Sequence, residues 1–141
     1  MQDLIFFISH NLLLVAAWFI VVFLLIAFEI RTRIFGPKKL STAELVQLVN
    51  HNDAKLYDIR SHAEFEKGHI SQAVNIKTTE IERELKSAKN DNQSVIIVCK
   101  DGIQSSQEAF RLKSTKIIKE VGYLQGGILT WESEKLPTVT D

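Results

Sequence analysis

Apolar residues crowd the first part of the chain and then spread out. From Leu4 to Phe28 the sequence LIFFISHNLLLVAAWFIVVFLLIAF carries no charge. As a helix this run is about 37 Å long, against a bilayer hydrocarbon core of about 30 Å. It predicts one membrane-spanning helix, with Ser9, His10 and Asn11 at headgroup depth. A cleaved signal peptide would carry a basic start and a small-x-small cleavage site. Met1-Gln2-Asp3 has no basic side chain, and the run ends in Ala27-Phe28-Glu29. The segment is therefore read as an uncleaved anchor over residues 1–35, with Gly36-Pro37 breaking the helix at the start of a linker, 36–40.

The pattern from residue 41 onward is that of a mixed-charge globular domain. Ser41-Thr42-Ala43-Glu44 and Ser61-His62-Ala63-Glu64 are capping boxes. The first opens a helix with Leu45, Leu48 and Val49 on one face, the second a short helix ended by Gly68. Lys55–Ile59 alternates like a strand, and Ala73–Ile76 is a second one. Thr79–Ala88 is an amphipathic helix with Ile81 and Leu85 inward, followed by a turn at Asn90-Asp91-Asn92. Ser94-Val95-Ile96-Ile97-Val98 is apolar without alternation, which predicts a central strand buried on both faces. A helix over Ser106–Lys113, a strand within Ile117–Leu124 and a last helix carrying Ile128 and Trp131, ended by Pro137, complete the pattern. Strands alternating with helices predict an α/β domain over 41–141, a mostly parallel central sheet with helices on both faces.

The chain has 141 residues, with 17 basic and 17 acidic side chains, so no broad field favours nucleic acid, and none is expected as a partner. Arg31, Arg33, Lys38 and Lys39 follow the apolar run, and only Asp3 precedes it. The positive-inside rule then predicts a single-pass inner-membrane protein with its N-terminus outside and its domain in the cytoplasm. The one cysteine excludes an internal disulfide and suits a reducing compartment. His10, His51, His62 and His69 have no ligand-like spacing with Cys99, so neither metal nor cofactor is expected.

Cys99 follows the most buried strand and precedes a helix. In open α/β sheets, ligands bind beyond the carboxyl ends of the strands. Backbone N–H groups of Lys100-Asp101-Gly102-Ile103-Gln104-Ser105 and the following helix N-terminus suit an anion on sulfur there, and the position is expected to expose it. Gly102 lets the loop curl, and Lys100 adds a cation. A cysteine phosphatase would need arginine where Ser105 stands.

Beyond this loop, Asp58-Ile59-Arg60, Glu64-Phe65, Gly68-His69-Ile70, Ala73-Val74-Asn75-Ile76, Val98-Cys99-x-x-Gly102, Leu124-x-Gly126-Gly127 and Trp131 are ordered and spaced as in the rhodanese family. The chain resembles that family over about residues 40–137, and as a whole its membrane-anchored single-domain members in bacteria. The resemblance implies a rhodanese-like fold and a sulfurtransferase, with Cys99 as the nucleophile that takes a sulfane sulfur as a persulfide and passes it to a thiol or other nucleophile. It further implies a cradle over Lys100–Ser105, with Arg60 as a further substrate-binding candidate and Asp58, Glu64 and His69 structural near the site. Pairing of Arg60 with Glu64 would give that arginine a structural role too. Gly126 and Gly127 are read as a tight turn and Trp131 as core. Many family members have arginine where this chain has Gln104. Glutamine keeps hydrogen bonding but loses the charged fork for an oxyanion, which favours small or protein persulfides over thiosulfate as donors. The competing reading is a non-enzymatic module that recruits a protein partner to the membrane.

Overall fold

The computed structural model describes residues 10–51, 54–87, 94–118 and 120–140. Asp3 and the start of the apolar run through Ser9, Ala88 at the end of the expected amphipathic helix, and the Asn90-Asp91-Asn92 turn lie outside the described residues. The chain divides into two compact units, Met1–Gly36 and Pro37–Asp141.

In the first unit, helix α1 runs from Leu12 to Phe35. Its Leu12–Arg31 stretch of 20 residues is, among the described residues, the one helix long and apolar enough to cross a membrane. Apolar side chains of that stretch, Leu13, Phe19, Phe23 and Phe28 among them, are exposed.

Among the described residues the second unit holds five strands, β1 (Lys38–Leu40), β2 (Ala54–Asp58), β3 (Ala73–Asn75), β4 (Ser94–Val98) and β5 (Val121–Leu124). Its helices are α2 (Thr42–Asn50), α3 (His62–Lys67), α4 (Thr78–Ser87), α5 (Ile103–Thr115) and α6 (Gly127–Ser133). The strands form one sheet in the order β1-β5-β4-β2-β3, every pairing parallel. β4 is central, as its uninterrupted apolar run predicts. Val95 and Ile97 pack with Tyr57, Val121, Ile81, Leu85, Ala109 and Leu112, under α4 and α5. Ile96 and Val98 point the other way, to Leu56, Leu124, Leu45, Ile128 and Trp131, under α2 and α6. Each fully buried Ile or Leu in these layers contributes about 1.5–3 kcal/mol.

Both expected caps form. The Ser41 hydroxyl accepts from the Glu44 N–H at 3.3 Å while the Ser41 N–H donates to the Glu44 carboxylate at 2.9 Å. At α3 the Ser61 hydroxyl and N–H both donate to the Glu64 carboxylate. Most boundaries shift by one or two residues from the sequence pattern, and two differ by more. Lys38–Leu40, expected within a linker, is edge strand β1, in register with Gly122–Leu124. The backbone decides this: three residues extend the ladder of β5, and only Leu40 of the three is buried. Helix α5 starts at Ile103 rather than Ser106. Gly102, at φ +86°, caps it in the left-handed region, so the chain turns straight from β4 into the helix.

Candidate active site

The carboxyl ends of β2 and β4 lie side by side, with Asp58 opposite Val98 and the Ile59 N–H donating to the Val98 carbonyl at 2.9 Å. Cys99 leaves β4 at this edge. Its Sγ accepts the N–H of Gly102 and that of Ser105, each at 3.2 Å. Two acceptors lie near the thiol proton, Ser105 Oγ at 3.3 Å and Asp101 Oδ1 at 3.7 Å. Ser105 Oγ also reaches the Gly102 carbonyl at 3.2 Å. Asp101 Oδ1 in turn accepts the Ile103 N–H at 3.0 Å, occupying one free donor of the first turn of α5.

The loop closes over the sulfur. Cys99 is 1% exposed, contrary to the exposure its strand-end position suggests. The reason is the early start of α5: Ser105, fully buried, sits against the sulfur in the helix's first turn. Of the other loop residues, Gly102 is buried, while Lys100, Asp101, Ile103 and Gln104 are exposed. Glycine is required at 102, since a Cβ there would stand 2.8 Å from the Gly126 nitrogen and 3.1 Å from the Leu124 oxygen.

Arg60 does not bind Glu64. Its Nε and Nη2 grip Asp58, with Nη2 to Oδ2 at 2.6 Å and side chains 6% and 2% exposed. The same Nη2 donates to the Gly68 carbonyl at 2.9 Å. In extended chain, residues i and i+2 share a side, so a D-x-R leaving a strand places its charges together, whereas the expected Glu64 partner lies in α3. These contacts give Arg60 a structural role beside the cysteine. Asn75 Nδ2 adds bonds to the Asp58 and Arg60 carbonyls. Together they pin β2, β3 and the loop before α3 beside the cysteine.

Glu64 instead stays with Ser61. The Ser61 hydroxyl and N–H hold its carboxyl below the usual carboxylate range, helped by the charges of Lys100 and Arg60. His69 is buried, stacked on Phe65 at 3.7 Å between ring centroids, with Nδ1 3.0 Å from the Phe65 carbonyl. Trp131 lies in the core with its Nε1 donating to the Pro137 carbonyl.

A feature beyond the expected tight turn is the contact between the Gly126-Gly127 turn and the cysteine loop. The Ile128 N–H donates to the Cys99 carbonyl at 2.9 Å, and the Leu129 N–H to the Lys100 carbonyl at 3.1 Å. The paired glycines after β5 were the available signal, though nothing in their spacing reveals what they face.

The arrangement directs two N–H groups at the sulfur, at the N-terminus of a helix of 13 residues. The model of the rhodanese-like domain matches residues 41–134. An uncharacterized protein of Buchnera aphidicola subsp. Schizaphis graminum is 31% identical over 140 residues, covering 98% of this chain and 94% of that protein. The putative sulfurtransferase YtwF of Bacillus subtilis is 31% identical over 106 residues, 71% of this chain and 95% of that one. Among solved structures, the human single-domain sulfurtransferase TSTD1 superposes with a TM-score of 0.59 at 24% identity, covering 70% of this chain and 98% of that chain.

Proposed function

The chain belongs to the rhodanese-like domain family, and from that premise we propose that it is a membrane-anchored sulfurtransferase that carries sulfane sulfur on Cys99. The observation that carries this reading is the pair of N–H groups, from Gly102 and Ser105, directed at Sγ. The Cys99 thiolate attacks the outer sulfur of the donor. A new S–S bond forms, the donor's bond to that sulfur breaks, and its electron pair leaves with the donor as a thiolate or sulfite. An acceptor nucleophile then attacks the outer sulfur of the persulfide and returns Cys99 as a thiolate. The N–H pair stabilises the anion at the start and end of this cycle, and no metal or cofactor takes part. Incubating the full chain in detergent with glutathione persulfide and cyanide tests it: thiocyanate should form catalytically, and its absence with this and other sulfane donors would reject the reading.

Gln104 selects the donor. It is exposed on the first turn of α5, where it offers an amide rather than a charged fork. Small or protein persulfides therefore suit the site better than thiosulfate. Gln104→Arg is expected to raise kcat/KM for thiosulfate about tenfold, the equivalent of one charge-assisted hydrogen bond of about 1.5 kcal/mol. An unchanged value would place the limit on thiosulfate elsewhere.

The anchor is α1, and the basic residues at its end and just beyond it, Arg31, Arg33, Lys38 and Lys39, orient the domain to the cytoplasm at the inner membrane. A cytoplasm-active reporter fused to the C-terminus should be active and a periplasm-active one silent. The reverse pattern would overturn both orientation and compartment.

The burial of Cys99 favours one second reading, a domain that recruits a protein partner to the membrane without turnover. It predicts no sulfur uptake from any donor.

A further inference from the structure

Gly127 has no part in the chemistry just described, yet it touches the backbone that carries the sulfur. Its φ is +59°, and a Cβ there would collide with the Cys99 carbonyl oxygen and lie 2.6 Å from the carbonyl carbon and oxygen of Lys100. The two residues after it donate their N–H groups to those same two carbonyls. In a trans peptide the carbonyl and the following N–H point in opposite directions. Holding the Cys99 and Lys100 carbonyls against α6 therefore turns the N–H groups of Lys100 and Asp101 away from α6 and fixes the path of the chain into Gly102, whose N–H meets the sulfur.

We infer that Gly127 is a positioning residue: the first turn of α6 is the bed that sets the path of the cysteine loop, and only a glycine lets the loop lie down on it. The inference rests on Cys99 being the working residue of the proposed function, but it makes a separate claim about what holds the loop closed over the sulfur.

Gly126 supplies the control. It too is left-handed, at φ +69°, but the Cβ contacts of a side chain there fall on Thr130 of α6 itself. Asparagine tolerates the left-handed region better than most residues, so Gly126→Asn and Gly127→Asn, each with Thr130→Ala, carry similar backbone strain. Only the second pushes on the cysteine loop. A further variant, Leu129→Pro, deletes the N–H that holds the Lys100 carbonyl, at a first-turn position where helices accept proline.

The experiment is alkylation of the full chain in detergent by iodoacetamide, which reads the one cysteine directly, alongside thermal unfolding and persulfide loading. Gly127→Asn and Leu129→Pro should raise the Cys99 alkylation rate about tenfold by populating an open loop and should lower sulfur loading by a similar factor. Gly126→Asn should melt near Gly127→Asn and keep the wild-type alkylation rate. If Gly127→Asn does not fold, the Leu129→Pro result alone decides. Alkylation at the control rate in the folded loop variants would overturn the inference. The expected alkylation pattern in a protein that takes up no sulfur would leave the inference standing and reject the sulfurtransferase reading.

Discussion

Replacing Asp58 with alanine is expected to destabilise the second unit by about 3–5 kcal/mol, the cost of breaking a buried ion pair from one side. Domains have only about 5–15 kcal/mol in total, so the variant should be close to unfolding at growth temperature. The loss does not come from the attraction itself. The Asp58 and Arg60 side chains are almost wholly buried, and without the carboxylate the guanidinium keeps the Gly68 carbonyl but loses the countercharge bonded to it. It would also release the N–H of Arg60, which Asp58 Oδ1 accepts at 2.9 Å. The double variant Asp58→Leu, Arg60→Met should recover much of the stability, since removing both charges removes the orphan. Urea unfolding of the full chain in detergent, read by Trp131 fluorescence in a Trp18→Phe background, distinguishes the two. A loss below about 1 kcal/mol for Asp58→Ala, the range of an exposed pair, would show that the clamp is not what holds this edge of the sheet.

Cys99→Ser is expected to abolish sulfur transfer while leaving the fold intact. The hydroxyl is nearly isosteric with the thiol and still accepts the N–H groups of Gly102 and Ser105 that now meet Sγ at 3.2 Å. It cannot become a persulfide. Because no other cysteine exists in the chain, no neighbouring thiol can take over. Thiocyanate formation should fall to the uncatalysed rate, with the unfolding midpoint close to wild type. Residual turnover would mean that sulfur passes from donor to acceptor without residing on the protein.

The elements legible in the sequence are those whose burial is set by their own side chains. β4 is apolar at every position after Ser94 and lies at the centre of the sheet, and the serine–glutamate spacings at 41–44 and 61–64 mark real helix starts. What the pattern concealed depends on partners distant in sequence. Lys38-Lys39-Leu40 has no strand-like alternation and becomes a strand only because β5 offers its edge. The first turn of α5 is hidden because Ile103 and Gln104 face solvent, so no apolar face announces it. That early start is also why Cys99 is buried. Likewise Cys99 stands out as the only thiol, whereas the support of its loop by Gly127 depends on a turn that arrives after another helix and strand. The Asp58–Arg60 pair is legible in the extended geometry at the end of β2, which sets residues i and i+2 on one side, against the helical spacing that points Arg60 to Glu64.

The measurement that bears most directly on the central claim is the intact mass of the full chain after incubation with a sulfane donor and removal of excess reagent. The account predicts one population heavier by a single sulfur atom, located on Cys99 by peptide mapping and returned to the starting mass by cyanide or a thiol. A chain whose mass is unchanged after exposure to glutathione persulfide, thiosulfate and a protein persulfide would contradict it.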